Sequence, residues 1–350
     1  MIKITTIPNT YENIREELPL IIDSNSLANL LDLTNSQLWG LVKAATSVPA
    51  GNKGSLYKKF VIPKRSGGNR ELYAPQGALK GVQTKIRDRI LDLAPKSKVS
   101  VAYRKGVCPG DTAKKIAGAK VILKLDIKDY FPSIKYRYVK DYLSSLGYPD
   151  EVSDILSGIL CVKAKNYKFV CQGGTASPML ANRIAERLID PKVVECLPEG
   201  WQYVRYCDNL YVWPSKGVDP TEAGPHRELL SNIRGAIYSA GFSSHKGSIV
   251  PYYKRQSLLG LTVNEKANMP KFKYKALRAC LFNCSKKGFK SQLGKAHMLG
   301  FQSIGDDSDL LRFKLFLQGL INYYKDYVTL NKSNQFISWY KEALDLENNS

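Results

Sequence analysis

The chain has 350 residues, of which 44% are hydrophobic, so it is long enough to bury a large core in one multi-lobed unit or in two to three small domains. Its 52 basic and 31 acidic side chains give a formal net charge of +21, which predicts attraction to polyanions. Nucleic acid is the leading partner class, although a solvated basic surface without a specific ligand would have the same composition. No apolar run approaches the roughly 20 residues of a spanning helix and the start lacks a secretory stretch, so we expect no membrane partner.

The seven cysteines are odd in number and scattered, which favours free thiols and a reducing, cytoplasmic location. Cys280 and Cys284, with His297 downstream, could form part of a zinc site. A fourth ligand at suitable spacing is missing, so core thiols are the favoured interpretation.

The N-terminal third predicts helices followed by a strand hairpin. Thr34 to Gln37 is a capping-box pattern that opens an amphipathic helix. Leu56 to Pro63 and Arg70 to Tyr73 fit two short strands joined by a glycine turn. Leu79 to Leu93 carries its apolar residues at helical spacing and predicts an amphipathic helix.

The middle of the chain predicts two acid-bearing strands separated by helices. Val121 to Leu125 fits a buried strand that ends at Asp126 and Asp129. The following elements are a helix around 138–146, a helix over 177–188 opened by Pro178, and a hairpin over 203–212 whose tip holds Cys207, Asp208 and Asn209. Farther on, Asp306 to Asp309 should cap a long helix that ends near Tyr324.

Carboxylates at the ends of two strands suggest phosphoryl transfer. If the strands that carry Asp126 and Asp208 are neighbours, both carboxylates reach one point. Converging carboxylates hold the divalent cations that transfer from a nucleoside triphosphate requires, and oxygen-only ligands favour Mg²⁺ or Mn²⁺ over zinc. Each strand alone would be weak support, because an acid at a strand end is usually only solvated.

The order of these motifs resembles a known family. From about Leu56 to Asn264 the chain is similar to the fingers and palm of bacterial reverse transcriptases, the group that includes retron, group II intron and phage-defence enzymes. The resemblance implies an α+β right-hand polymerase with fingers, a palm of antiparallel sheet and helices, and a helical thumb. The implied boundaries are 1–118 for N-terminal helices and fingers, 119–265 for the palm and 266–350 for the thumb.

The resemblance also implies roles for the acidic motifs. Asp126 and Asp208 would hold two Mg²⁺ or Mn²⁺ ions, with the Ile127 carbonyl as a further ligand. Phe131 would lie under the sugar as a steric gate that favours deoxynucleotides, although ordinary core packing is the alternative. Asp129 and Tyr130 beside it are expected at the nucleotide.

Four other segments match the family's nucleotide and primer motifs. Lys64 and Arg70 would contact the triphosphate, and Gln172 in the Gln-Gly-Gly turn would bond a sugar or phosphate. Lys246 is a candidate general acid at the leaving pyrophosphate, with a plain surface lysine as the alternative. The hairpin over 258–262, including Leu259 and Gly260, would grip the primer terminus.

The run Tyr206-Cys-Asp-Asn209 departs from the family's Tyr-x-Asp-Asp. Asn209 offers a neutral oxygen and no charge, so we expect slower catalysis or an altered metal preference. In a second interpretation Asn209 only pins the hairpin turn.

Two further departures bear on the type of enzyme. Retron enzymes usually carry Asn-Ala-x-x-His where this chain has Thr112 to Ile116, and Val-Thr-Gly where it has Leu258 to Gly260. These departures favour a stand-alone or phage-defence reverse transcriptase over a retron with its own RNA. The expected partners are an RNA template, a DNA or RNA primer, deoxynucleoside triphosphates and, as an option, a dedicated noncoding RNA. Untemplated or protein-primed DNA synthesis, RNA synthesis, and a catalytically weakened RNA-binding scaffold are the alternatives.

Overall fold

The computed structural model describes residues 18–63, 67–164, 166–221 and 225–348. Within these ranges the helices are α1 (Ser24–Leu30), α2 (Asn35–Ser47), α3 (Gly77–Ile86), α4 (Pro109–Ile116), α5 (Tyr130–Ser133), α6 (Tyr136–Ser145), α7 (Asp150–Leu160), α8 (Ser177–Leu188), α9 (Asp190–Glu195), α10 (His226–Ser239), α11 (Lys271–Lys287), α12 (Lys290–Leu293), α13 (Asp309–Tyr324) and α14 (Leu330–Asn348). The strands are β1 (Tyr57–Pro63), β2 (Asn69–Pro75), β3 (Val121–Asp126), β4 (Cys161–Ala164), β5 (Tyr167–Val170), β6 (Trp201–Tyr206), β7 (Asn209–Pro214), β8 (Ser248–Pro251), β9 (Ser257–Leu258) and β10 (Leu261–Thr262). This mixture of helices and antiparallel sheets confirms the α+β prediction.

Local sequence signals predicted several of these elements. The capping box at α2 is present, because the Thr34 hydroxyl accepts from the Gln37 N–H at 3.2 Å and the Gln37 side chain accepts from the Thr34 N–H at 2.8 Å. The helix predicted over 177–188 is α8, with Pro178 in its first turn. β1 and β2 pair antiparallel over their whole length, as the predicted hairpin requires.

The helix predicted from Leu79 to Leu93 is interrupted. α3 continues into a π-helical turn, Arg87–Leu91, in which the Asp92 N–H donates to the Arg87 carbonyl at 2.8 Å. The wider turn leaves both Ile90 and Leu91 buried. An amphipathic pattern alone does not reveal it, because burial of two adjacent residues depends on what packs against the helix.

The chain forms two compact units. The first takes Met1–Val107 and Lys120–Val250, and the second takes Cys108–Ala119 and Pro251–Ser350. The first unit holds a four-stranded sheet in the order β6, β7, β3, β8, with β7 antiparallel to both of its neighbours. Its core combines the apolar side chains of β3 with those of the surrounding helices α3, α7 and α8.

The second unit is mainly helical. Leu277 and Leu281 of α11, Leu317 of α13 and Phe336 of α14 are fully buried in it. The predicted capping of α13 by Asp306 to Asp309 is wrong: the N-cap is Ser308, which makes no side-chain cap hydrogen bond. The Asp309 carboxylate instead accepts from the N–H groups of Ile304 and Gly305 in the loop before the helix.

Two observations concern the chain as a whole. In the part that the structure describes, every helix is too short or too polar to cross a membrane. All seven cysteines are free thiols, and Cys280 and Cys284 are buried on α11.

The backbone around Gly173 explains the Gln-Gly-Gly turn. Gly173 has a φ of +106°, and a Cβ there would lie 3.1 Å from the Tyr73 carbonyl oxygen. The Tyr73 N–H donates to the Gln172 carbonyl at 2.8 Å, so the turn and β2 are held in close contact. Only glycine meets both requirements without strain.

We expect Gly173→Ala to lower the free energy of unfolding by about 1–3 kcal/mol, because alanine is strained at this φ and crowds rigid backbone. The matched control is Gly235→Ala in α10, where a Cβ meets nothing within 4 Å and φ is helical. This control should raise the free energy of unfolding by about 0.5–1 kcal/mol, because alanine has a higher helix propensity than glycine. Guanidinium denaturation measures both changes, and equal effects of the two substitutions would contradict the close approach at Gly173.

Candidate active site

Strand register brings the two acidic motifs together. β3 and β7 pair so that Asp126 lies opposite Asn209, and the Ile127 N–H donates to the Asp208 carbonyl at 2.9 Å. On the other side of Asp126, its carbonyl accepts from the His245 N–H at 2.8 Å. Backbone hydrogen bonds on both sides therefore fix the backbone position of Asp126, from which its carboxylate extends.

The tip of the β6–β7 hairpin is a tight turn formed by Cys207 and Asp208, which we call the hairpin tip. Cys207 has a φ of +59°, in the left-handed region that favours glycine. Burial raises the pKa of its thiol to about 11, so it stays neutral beside Asp208. The Asn209 side-chain amide donates to the Asp208 carboxylate at 2.9 Å.

A pocket of about 560 Å³ opens beside these residues, a volume in the range of small-molecule sites. It is lined by Asn69, Arg70, Glu71, Tyr73, Asp126, Ile127, Asp129, Tyr130, Phe131, Pro132, Phe169, Gln172, Asp208 and His245. We call it the active-site pocket. β2 supplies one wall, and the residues that follow β3 supply another.

Charges of both signs meet in the active-site pocket. Burial and the neighbouring Asp208 carboxylate raise the pKa of Asp126, and the charges of His245 and Arg70 partly oppose that rise. The Glu71 carboxylate is paired with the Lys59 ammonium at 2.5 Å and accepts from the Tyr73 hydroxyl. Of the other carboxylates that line the pocket, Asp208 is the one whose charge raises the pKa of Asp126.

The segment after β3 bends sharply to line the pocket. Asp129 has a φ of +45°, and its carbonyl accepts from the Ser133 N–H at 2.8 Å. The next side chain, Tyr130, is buried and donates its hydroxyl to the Ala181 carbonyl at 2.9 Å. Phe131 meets the Tyr130 ring edge to face and stays half-exposed toward the pocket.

The donor set suits a hard divalent cation. Asp126 and Asp208 offer carboxylate oxygens in one pocket, and their mutual repulsion is what a bound cation relieves. Among the described residues no group of three or more His, Cys, Asp or Glu side chains could hold a metal ion. Two carboxylates, completed by water and substrate phosphates, are a common Mg²⁺ site in nucleotide enzymes.

The turn between β9 and β10 belongs to the second unit. Leu259 and Gly260 form this turn with φ values of +48° and +85°. Hydroxyl groups of α13 hold it, because Tyr323 donates to the Leu259 carbonyl and Tyr324 donates to the Gly260 carbonyl at 3.2 Å. The hairpin predicted over 258–262 is therefore present, with both turn carbonyls fixed.

The structure brings most of the predicted site residues into one place. The active-site pocket gathers Arg70, Asp126, Ile127, Asp129, Tyr130, Phe131, Gln172 and Asp208, and Asn209 bonds Asp208 beside it. Lys246 is exposed and is not among the described residues that line the pocket. Lys64 lies outside the described residues.

Sequence patterns missed two residues that the structure brings to this site. His245 lines the active-site pocket, and only its place directly before Lys246 hinted at it. Arg205 of β6 is completely buried and donates to the Cys207 carbonyl at 3.1 Å. A charged residue inside the apolar strand from Trp201 to Tyr206 was the available signal.

Comparison with known proteins identifies the relatives of this chain. The family model described as reverse transcriptase (RNA-dependent DNA polymerase) matches residues 62–262. The chain is 29% identical over 268 residues to the retron Mx162 reverse transcriptase of Myxococcus xanthus, covering 69% of this chain and 55% of the relative. It is 30% identical over 228 residues to the retron Ec86 reverse transcriptase of Escherichia coli, covering 64% of this chain and 68% of the relative.

Other similarities are more partial. The retron Mx65 reverse transcriptase of Myxococcus xanthus is 30% identical over 241 residues, 64% of this chain and 55% of that protein. Among solved structures, telomerase from Candida albicans is 14% identical with a TM-score of 0.43, over 85% of this chain and 61% of that one. The chain spans about half the length of the two Myxococcus relatives. Because the family model covers more than half of the chain, this protein belongs to the reverse transcriptase (RNA-dependent DNA polymerase) family.

Proposed function

We propose that the protein is an RNA-directed DNA polymerase that adds deoxynucleotides to a primer. The observation that carries this proposal is the meeting of Asp126 and Asp208 with Arg70 and Gln172 in one pocket, inside the part of the chain that matches the family. A cationic side chain beside paired carboxylates suits a triphosphate that arrives with its cations.

The carboxylates are proposed to hold Mg²⁺ or Mn²⁺, two ions per site. Reverse transcriptases use divalent cations, which when bound activate the attacking hydroxyl and neutralise charge on the phosphates. Asp126 and Asp208 would hold the ions, with the Ile127 carbonyl as a further oxygen donor. Asn209 would keep the Asp208 carboxylate oriented through its amide.

The other pocket residues are proposed to bind the nucleotide. Arg70 would contact the phosphates, as would Lys64 of the same motif, and Gln172 would bond the sugar or a phosphate. Phe131 would lie under the sugar and exclude a 2′-hydroxyl, with Asp129 and Tyr130 shaping the loop around it. Lys246 would protonate the leaving pyrophosphate.

The proposed partners are an RNA template, a DNA or RNA primer and deoxynucleoside triphosphates. The net charge of +21 supports a polynucleotide partner and predicts salt-dependent binding. The retron relatives make a dedicated noncoding RNA a partner worth testing, whereas the departures at 112–116 and 258–260 favour a stand-alone or phage-defence enzyme. Seven free thiols fit a reducing, cytoplasmic setting.

We also propose a division of the chain by role. Residues 1–118 would act as N-terminal helices and fingers, 119–265 as palm and 266–350 as thumb. In the second unit, Leu259 and Gly260 would grip the primer terminus, and the tyrosine hydroxyls that bind their carbonyls support a rigid turn there.

A second candidate function follows from Asn209. The family's second carboxylate is replaced by an amide, which donates to the Asp208 carboxylate. A catalytically weakened RNA-binding scaffold, or a polymerase that makes DNA without a template, would also have this site. Sequencing of products separates these candidates from templated copying.

We expect the purified protein to extend a primed RNA template with deoxynucleotides in Mg²⁺ or Mn²⁺. The product should be complementary to the template and should vanish in the double variant Asp126→Ala, Asp208→Ala, because the cations lose their carboxylate ligands. Primer extension followed by sequencing measures this. Product unrelated to the template would replace the proposal with untemplated synthesis, and tight RNA binding without product in either metal would favour the scaffold.

We expect Asp126→Asn to stabilise the metal-free protein while it abolishes synthesis. Because its pKa is raised, folded Asp126 holds its proton more tightly than the unfolded chain, and stability falls as pH rises from about 3.9 through the raised pKa. The full loss of stability is reached above the raised pKa, where Asp126 is ionised in both states. The substitution should raise the free energy of unfolding by less than about 1 kcal/mol, since solvent screens this half-exposed group.

Thermal unfolding without divalent cation, at neutral and at acidic pH, measures this difference. The gain should shrink at acidic pH, where Asp126 is protonated in both states. Asp345→Asn on α14 makes the same change of net charge at an exposed position and is the control. A lower melting temperature for Asp126→Asn than for the parent at neutral pH would contradict the expectation that burial of the Asp126 charge and repulsion by Asp208 destabilise the metal-free protein.

We expect Phe131→Ala to reduce discrimination against ribonucleotides by at least about tenfold, or ~1.4 kcal/mol. The smaller side chain leaves room for a 2′-hydroxyl in the pocket. Phe169→Ala is the matched control, since Phe169 is an aromatic residue of the same pocket but lies on β5. Single-nucleotide incorporation with each triphosphate gives the ratio of kcat/KM values, and a similar change in both variants would exclude Phe131 as a specific gate.

A further inference from the structure

Arg205 lies beneath the hairpin tip with every side-chain N–H engaged. The guanidinium is fully buried and forms a bidentate pair with Asp190, through Nε at 2.8 Å and Nη2 at 2.9 Å. Its remaining hydrogen bonds go to the Tyr130 hydroxyl at 3.1 Å, the Asn182 side-chain oxygen at 2.9 Å, the Cys207 carbonyl at 3.1 Å, the Ser100 hydroxyl at 3.1 Å and the Asn182 carbonyl at 3.3 Å.

Two of these contacts reach the segments that carry the carboxylates. Cys207 directly precedes Asp208, and its carbonyl accepts from Nη1 of Arg205. Tyr130 directly follows Asp129 in the loop that leaves Asp126, and its hydroxyl accepts from the same nitrogen. One nitrogen of Arg205 therefore bonds both the hairpin tip that carries Asp208 and the segment that follows Asp126.

Both contacted segments contain a backbone conformation that needs support. Cys207 has a φ of +59° and Asp129 has a φ of +45°, and residues other than glycine rarely adopt such backbone angles. Residues of this kind persist only where the surrounding structure over-determines them. The Arg205 guanidinium bonds the Cys207 carbonyl itself and the side chain next to Asp129, so it acts where the strain lies.

A buried ion pair is not needed for stability alone. Removing a guanidinium from water is costly, and apolar residues of similar volume often replace a buried pair without loss of stability. A planar group with five donors does what an apolar side chain cannot, because it fixes several acceptors at set distances and angles. This contrast points to a positional rather than a purely stabilising role.

We propose that Arg205, held in place by Asp190, is a positioning residue that fixes the hairpin tip and the loop at Tyr130 together, so that Asp208 and Asp126 converge on a divalent cation. This inference deepens the proposed function and rests on it. Arg205 itself touches neither cation nor substrate. It acts through the Cys207 carbonyl and the Tyr130 hydroxyl.

Two tyrosines provide a matched test. Tyr130→Phe removes the hydroxyl that accepts from Arg205. Tyr203→Phe removes a hydroxyl that donates to Asp190 at 2.8 Å, on an equally buried ring of β6 whose hydroxyl bonds Asp190 and not Arg205. Both variants lose one hydroxyl from the same buried cluster, and Tyr130→Phe also loses the hydrogen bond to the Ala181 carbonyl. A merely structural role therefore predicts a change of melting temperature in both variants and no specific change of Mn²⁺ affinity in either.

The full-length variants are compared by thermal unfolding, by titration with Mn²⁺ followed by electron paramagnetic resonance without nucleotide, and by kcat and KM for primer extension. We expect Tyr130→Phe to weaken Mn²⁺ binding at least fivefold and to lower kcat about tenfold with KM for nucleotide nearly unchanged. Tyr203→Phe should lower the melting temperature by a similar amount and keep the Mn²⁺ affinity within twofold. Equal changes of Mn²⁺ affinity in the two variants, or none in either, would overturn the proposal.

Arg205→Lys extends the test to the guanidinium itself. Lysine keeps the charge but cannot reach Asp190, Tyr130 and Cys207 at once, so a folded Arg205→Lys protein should show the Mn²⁺ defect of Tyr130→Phe or a larger one. A folded variant with parental Mn²⁺ affinity would contradict the positioning role. If the variant does not fold, the tyrosine pair decides the question alone.

The readouts separate this proposal from the proposed function. Mn²⁺ binding that depends on Tyr130, in a protein that makes no DNA, would support the positioning role and reject the polymerase. DNA synthesis by the parent protein, with Mn²⁺ affinity unchanged in Tyr130→Phe, would support the polymerase and reject the positioning role.

Discussion

Antiparallel pairing between β3 and β7 forces Asp126 and Asp208 into the same pocket, although their charges repel each other. Burial and the repulsion by Asp208 raise the pKa of Asp126, and the nearby charges of Arg70 and His245 offset that rise only in part. The sheet can hold the pair because the backbone hydrogen bonds on both sides of Asp126 are independent of side-chain charge. The backbone therefore holds the two carboxylates together before any proposed cation binds.

Preorganisation of this kind requires support from below the site. The left-handed residues Asp129 and Cys207 each store strain of about 1–3 kcal/mol, which local sequence does not relieve. Beneath them lie two buried ion pairs, Arg205 with Asp190 and Arg183 with Glu186. Removing one partner of such a pair typically costs about 3–5 kcal/mol, because the other charge is left buried and unpaired. Buried ion pairs thus lie under the two strained residues of the site.

Local patterns predicted the parts of the fold that depend on neighbours in sequence. The capping box at Thr34, the helix start at Pro178 and the end of β3 at Asp126 follow from interactions within a few residues. Arg205 and His245 escaped prediction because their importance comes from partners far away in the chain. Arg205 bonds Ser100 at a separation of 105 residues, and periodicity contains no record of such a contact. The family resemblance predicted residues of the pocket because the motifs concern residues expected at the substrate. It did not predict Arg205, because Arg205 lies beneath the pocket and does not line it.

Asn209 makes the site less negative than an aspartate at the same position would. It occupies the ladder position opposite Asp126, which an aspartate would fill with a third negative charge. The amide instead donates to Asp208, which removes repulsion and also occupies one oxygen of a carboxylate proposed to bind a cation. The two effects oppose each other: a less strained metal-free site is gained, and electrostatic attraction for the cation is reduced. Cation binding at such a site would depend more strongly on the orientation of Asp126 and Asp208. The proposed positioning by Arg205 beneath the hairpin tip would therefore matter more here than in a site with a second aspartate.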